Sequence, residues 1–219
     1  MPSKRVEGVK LFAVEPYMIK SHKRHHNGGI TINGIITKLP EFFQEQVIKV
    51  WNDFHELFGI SRIKTTSFPH LTWVIAKESD EDLLDEKLNI FRKKTFPFVL
   101  STNGIGIFTG KRPAVYIQIK PSIQILEFQK ELYETFSDHS EGLKKFYVPE
   151  RWIPHISLAI EDIDLSNIGK VMEYLLPITF KYDLRIETIS LVRKEKGQNM
   201  ELVRDYWFAR ESDPESMKV

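Results

Sequence analysis

The phrase Phe68-Pro69-His70-Leu71-Thr72-Trp73 returns 85 residues later as Ile153-Pro154-His155-Ile156-Ser157-Leu158. At ordinary residue frequencies a given histidine sits in Pro-His-x-[Ser/Thr] with a chance of roughly 0.6%, so two such cases among seven histidines arise by accident about once in a thousand sequences. Side chains of a strand alternate faces, which puts His70 and Thr72 on one side and Leu71 and Trp73 on the other. The prolines suit the first residue of a strand, where a missing N–H breaks no ladder, and they keep the preceding residue extended. If the two halves pack about a pseudo-twofold axis, two imidazoles and two hydroxyls meet on opposite walls of one cleft.

Outward from these phrases the chain alternates. Residues 30–39 are β-rich, and residues 40–59 open with Pro40 and close with Gly59 around a helical apolar stripe. Residues 70–76 read as strand, 78–94 as a helix with acidic residues first and basic residues last, and 96–108 as strand again. A second pass repeats the order: strand 114–120, helix 122–136, strand 155–160 and a short helix around 165–176. Two strands at 178–193 and 200–210 finish it, joined as a hairpin through the turn-like 196–199. The pattern predicts an α+β protein with two sheet-bearing lobes. A single domain over 29–212 is expected, built from halves at about 30–108 and 114–210, with a basic extension at 1–28 and a polar tail at 213–219.

Composition narrows the chemistry. The 31 basic and 30 acidic side chains nearly cancel, so any anionic ligand must be held locally rather than by a global field. The absence of cysteine removes thiolate metal sites, disulfides and cysteine nucleophiles, and favours an intracellular compartment. Charges interrupt the N-terminal sequence before an apolar leader forms, and no run approaches the ~18 apolar residues of a membrane helix, so a cytoplasmic protein is expected. The paired imidazoles suit acid–base work, because one can accept a proton while the other donates, and Thr72 and Ser157 can hydrogen-bond non-bridging phosphate oxygens. Zinc is disfavoured, since neither histidine has a ligand neighbour at the usual spacing.

The duplicated His-x-[Thr/Ser]-x resembles the hallmark of the two-histidine phosphoesterases, the 2′-5′ RNA ligase-like or cyclic phosphodiesterase superfamily. Trp152-Ile153-Pro154 and Phe108-Thr109-Gly110-Lys111-Arg112-Pro113 supply a similar context, and the likeness spans about residues 30–210. It implies a bilobal duplicated α+β fold, with two antiparallel-rich sheets forming a central cleft and helices outside. It also implies metal-independent, cofactor-free catalysis by His70, Thr72, His155 and Ser157 on nucleotide or RNA substrates with a 2′-linked or cyclic phosphate, with ligation as the reverse reaction. The protein is expected to act as a monomer. A binding module that keeps the cleft without turnover is the alternative.

Lys111 and Arg112 are candidate phosphate contacts, and Phe108, Tyr116 and Trp152 candidate platforms for a base. Asn103-Gly104-Ile105-Gly106 lies in β-like sequence and opens no helix, which argues against a dinucleotide site. His22, His25 and His26 read as a solvated basic loop, and His55 and His139 as residues without a catalytic part.

Overall fold

A computed structural model describes residues 31–111 and 113–210. The basic extension with its three histidines, Arg112 and the tail at 213–219 lie outside the described residues. In chain order the elements are β1 (Thr31–Lys38), α1 (Glu41–Phe58), β2 (His70–Ala76), β3 (Glu78–Ser79), α2 (Glu81–Lys93), β4 (Phe98–Phe108), β5 (Ala114–Ile119), α3 (Ile123–Ser137), β6 (Ser140–Glu141), β7 (His155–Ile160), α4 (Ile168–Leu175), β8 (Asp183–Ile186), β9 (Thr188–Glu195) and β10 (Glu201–Trp207).

Local sequence explains the helices. In α1, Phe43, Val47, Val50, Trp51 and Phe54 recur every three or four residues and are buried, and Gly59, at φ 71°, ends the helix in the left-handed conformation that suits glycine. Asp80 and Ser122 cap α2 and α3 by accepting from the Leu83 and Ile125 amides, which satisfies donors the first turn leaves open.

The sheet is antiparallel throughout, in the order β10-β9-β1-β2-β7-β5-β4-β8. It is two groups of four strands joined at a seam, where β2 meets β7 through the single pair Leu71↔Ile156. The lobes are not the sequence halves at 30–108 and 114–210. Strands cross between the halves: β4 of the first half pairs with β5, and β9 of the second half pairs with β1. The strand expected at 178–193 is correspondingly two strands, β8 on the far edge and β9 in the other lobe, with Glu187 at the crossing. Each crossing pairs residues far apart in the chain, which local periodicity does not encode.

The duplication extends to irregularities. β1 carries a register shift so that Ile35 faces Val74 and Ile36 faces Thr72; β5 carries the equivalent one, with Val115 opposite Ala159 and Tyr116 opposite Ser157. Trp73 and Leu158 are the extra residues, and each bulge interrupts the alternation. Consecutive residues Trp73-Val74 and Leu158-Ala159 are therefore buried, and Ile75 and Ile160 return to the open face.

Candidate active site

The seam places the motifs. β2 and β7 run antiparallel about Leu71↔Ile156, both fully buried, and continuing that register sets His70 opposite Ser157 and Thr72 opposite His155. All four polar residues point away from the core and line one cleft of about 340 Å³. Each imidazole thus has the other strand's hydroxyl across from it.

Both rings are oriented in the same way. The Nδ1–H of His70 donates to the Phe68 carbonyl at 2.9 Å, and that of His155 donates to the Ile153 carbonyl at 2.7 Å. A carbonyl only accepts, so the proton resides on Nδ1, and Nε2 is left to exchange a proton with whatever lies in the cleft. Pro69 and Pro154, between each histidine and its acceptor, keep the carbonyl two residues back within reach. Burial pushes both imidazoles below the ordinary histidine range; the backbone acceptors oppose this, and the charge of nearby His155 lowers His70 further.

Two tryptophans brace the seam reciprocally. Trp51, on α1 of the first half, donates its indole N–H to the Ser157 carbonyl at 3.2 Å. Trp152, just ahead of the second motif, donates to the Thr72 carbonyl at 3.0 Å. Each half thereby holds the hydroxyl-bearing residue of the other. Trp152 is only 6% exposed and stacks on Trp73 with ring centroids 5.2 Å apart, so both its donor and its face are committed internally. The expectation that it presents an open platform for a base is corrected accordingly: its flanking position in the sequence does not reveal that the ring turns under the strand.

Phe108 and Tyr116 lie beside His155, with centroids 5.0 and 5.4 Å from its ring, and stack on each other at 4.2 Å. Tyr116 covers Gly106, where an added Cβ would come within 2.6 Å of two ring carbons and the phenol oxygen, so the absent side chain lets the ring lie on the strand. Lys111 is exposed in the β4–β5 turn and is not among the residues lining the cleft. His55 and His139, expected to be bystanders, also lie outside the residues that line it.

Sequence reasoning missed four polar side chains that line the cleft, Thr66, Tyr147, Arg193 and Lys194. Tyr147, on the segment before the second motif, lines the cleft and hydrogen-bonds the Thr72 side chain; burial raises its phenol above the usual range and that bond opposes the rise. Its backbone is fixed: buried Gln129 donates to both the Tyr147 carbonyl at 2.8 Å and the Trp73 carbonyl at 3.2 Å, and the Lys144 amide donates to the Ile75 carbonyl at 2.9 Å. Lys194 of β9 lines the cleft with Nζ donating to the Thr65 hydroxyl at 3.1 Å, and adjacent Arg193 lines it too, with its Nε 3.5 Å from Glu81 on α2. Thr66, in the turn before the first motif, also lines the cleft. Nothing near Tyr147 or Lys194 in the sequence repeats, so no signal comparable to the duplicated histidines marked them.

Among the described residues, no three His, Cys, Asp or Glu side chains converge as metal ligands, and no helix is long and apolar enough to cross a membrane.

A duplicated His-x-hydroxyl cleft on a bilobal antiparallel sheet defines the two-histidine class. The sequence profile of the 2′-5′ RNA ligase superfamily matches residues 45–198, well over half of the chain, and the protein belongs to that superfamily. Solved structures agree on the fold. Escherichia coli LigT bound to 3′-AMP superposes with TM-score 0.59 at 14% identity, covering 84% of this chain and 100% of LigT. TT0787 of Thermus thermophilus gives 0.56 at 18% identity, covering 82% and 99%. A structure described as a phosphoesterase gives 0.55 at 14% identity, again covering 82% and 99%. No curated protein sequence is similar enough to count as a relative.

Proposed function

We propose that the protein is a phosphodiesterase that acts on 2′-linked or 2′,3′-cyclic phosphates of nucleotides or RNA through paired-histidine acid–base catalysis. The observation that carries this reading is the pair of identically held imidazoles, each with its Nδ1–H on a backbone carbonyl and the opposite strand's hydroxyl across from it. One Nε2 takes the proton of the attacking water or ribose hydroxyl, whose oxygen bonds phosphorus. The P–O bond on the far side breaks, and the departing oxygen receives the proton of the second imidazolium. Thr72 and Ser157 donate to the non-bridging oxygens, where charge accumulates. The same steps run backwards join two ends.

Nucleotide-sized ligands fit the reading. LigT has been crystallised with 3′-AMP, NADP+ and ATP, and here the aromatic pair Phe108–Tyr116 beside His155 offers a base-sized surface next to the phosphate centre.

Purified protein assayed in EDTA against adenosine 2′,3′-cyclic phosphate and 2′-5′-linked oligoadenylate tests it. His70→Ala and His155→Ala should each lower kcat/KM by at least about 10³-fold, the upper part of the range for one general acid or base, with melting temperature retained. Wild-type turnover in either variant would sink the paired mechanism.

A further inference from the structure

Each histidine motif follows a segment that is fastened to the opposite half of the protein. On the second side the fastening is backbone. The Lys144 amide donates to the Ile75 carbonyl at 2.9 Å and the Lys77 amide to the Glu141 carbonyl at 3.0 Å, beside the short β3–β6 ladder. On the first side residues 59–67 belong to no strand, and one side chain does the fastening. Asp162, two residues beyond β7, accepts the Ser61 and Arg62 amides on a single carboxylate oxygen, Oδ2, at 2.7 and 2.9 Å. Hydrogen bonds from backbone amides to a carboxylate are charge-assisted and about twice as strong as neutral ones, so two suffice where the other side uses a ladder.

The backbone is strained at both ends of this connection. Among the described residues, Ser67 at φ 63° and Glu161 at φ 66° are the only non-glycine residues with positive φ. Each is the centre of a three-residue turn. One is closed by the Phe68 amide on the Thr66 carbonyl at 2.7 Å, the other by the Asp162 amide on the Ile160 carbonyl at 2.9 Å. Such turns with a central residue at positive φ are rare, and they persist where the surroundings over-determine them. The turn at Glu161 leads from the end of β7 into Asp162. The turn at Ser67 sets the plane of Phe68, whose carbonyl receives the His70 Nδ1–H. Between them the segment is tied to its own lobe by the Ser67 hydroxyl on the Met200 carbonyl at 2.8 Å and the Met200 amide on the Thr65 carbonyl at 3.2 Å.

We propose that Asp162 is a positioning residue for His70: from the lobe that carries His155 it fixes residues 61–67, and through them the Phe68 carbonyl on which the His70 ring is oriented. The inference rests on the proposed function and deepens it, because one carboxylate makes the angle of one imidazole depend on the lobe that holds the other. Asp162 is not among the residues lining the cleft, so it acts through the backbone alone. Its reach is one-sided. His155 takes its acceptor from Ile153, next to Trp152, whose indole is fixed on the Thr72 carbonyl. Loss of Asp162 therefore disturbs His70 and spares His155.

Nitrogen-15 spectra of histidine-labelled protein read the tautomer of each ring, and steady-state kinetics read the consequence. In the parent both motif imidazoles, when neutral, should be single Nδ1–H tautomers. In Asp162→Ala, His70 should become a mixture while His155 keeps its tautomer. There kcat on the best nucleotide substrate should fall about 10²-fold, the cost of about 1 Å of misplacement, and by far more than KM rises. Asp162→Asn, whose amide oxygen still accepts from both backbone N–H groups, should restore the tautomer and most of kcat. Should Asp162→Ala fail to fold, Asp162→Glu keeps the charge, pushes the segment outward by one methylene and should alter His70 alone. An unaltered His70 in a folded Asp162→Ala or Asp162→Glu protein, or equal disturbance of both rings, would overturn the assignment. If no nucleotide is turned over, the proposed function fails, and the tautomer of His70 still decides the role of Asp162.

Discussion

Replacing Trp152 by Phe isolates what holds the two catalytic strands in register. The indole donates to the Thr72 carbonyl at 3.0 Å in a seam where β2 and β7 share one backbone pair, so no neighbouring ladder bond is at hand to take its place. Leaving that carbonyl unpaired costs about 1–3 kcal/mol. The smaller ring also leaves space beneath Trp73, adding about 1 kcal/mol. Their sum, about 2–4 kcal/mol, corresponds at about 2–4 °C per kcal/mol to a melting temperature lower by roughly 4–16 °C for a chain of this size. The protein should remain folded at 25 °C, where the consequence is kinetic. A shift of about 1 Å in a catalytic group costs about 10²-fold, so kcat on the best nucleotide substrate should fall by that order, more than KM rises. Differential scanning calorimetry and steady-state kinetics on Trp152→Phe, with the exposed Trp207→Phe as control, measure both. Unchanged melting and unchanged kcat in Trp152→Phe would refute the bracing role; a drop of similar size for Trp207→Phe would show that the effect is not local to the seam.

Tyr147→Phe removes the phenol that hydrogen-bonds Thr72; it should lower kcat about ten-fold in the parent but scarcely at all in a Thr72→Ala background, and a double-mutant cycle with additive effects would exclude action through Thr72. The activity profile should lean acidic: both imidazoles are held below the ordinary histidine pKa near 6.5, yet one must be protonated, so kcat/KM should peak below about pH 6.5 and decline towards neutrality, as a pH–rate series would reveal. Stability carries the opposite sign. With these imidazoles depressed in the folded state, the unfolded chain binds more protons as pH falls below about 6.5, so unfolding free energy should decrease there, and His70→Ala should flatten that decline in urea titrations at pH 5 to 7.

The repeated Pro-His-x-hydroxyl phrase suffices by itself to nominate four of the residues that line the cleft, because strand alternation is a local rule: residues two apart share a face wherever the strand lies. Capping and periodicity likewise place α1 over 41–58 between Pro40 and Gly59, as the helix stripe demands. Three-dimensional packing decides the rest. The strand read at 178–193 is uniformly β-like, yet it divides at Glu187 because its two parts satisfy their backbone groups against different partners, β4 and β1, and nothing within the segment states which partner each part meets. The bulges at Trp73 and Leu158 return Ile75 and Ile160 to the open face, against the simple alternation that would have put Val74 and Ala159 there. Trp152 reads as a surface platform from its neighbours and is a brace in the fold, while Tyr147 and Lys194 reach the cleft from segments with no repeat to announce them. Sequence alone dictates which face of an element a side chain occupies; what that face meets depends on contacts between residues distant along the chain, and these exist only once it has folded.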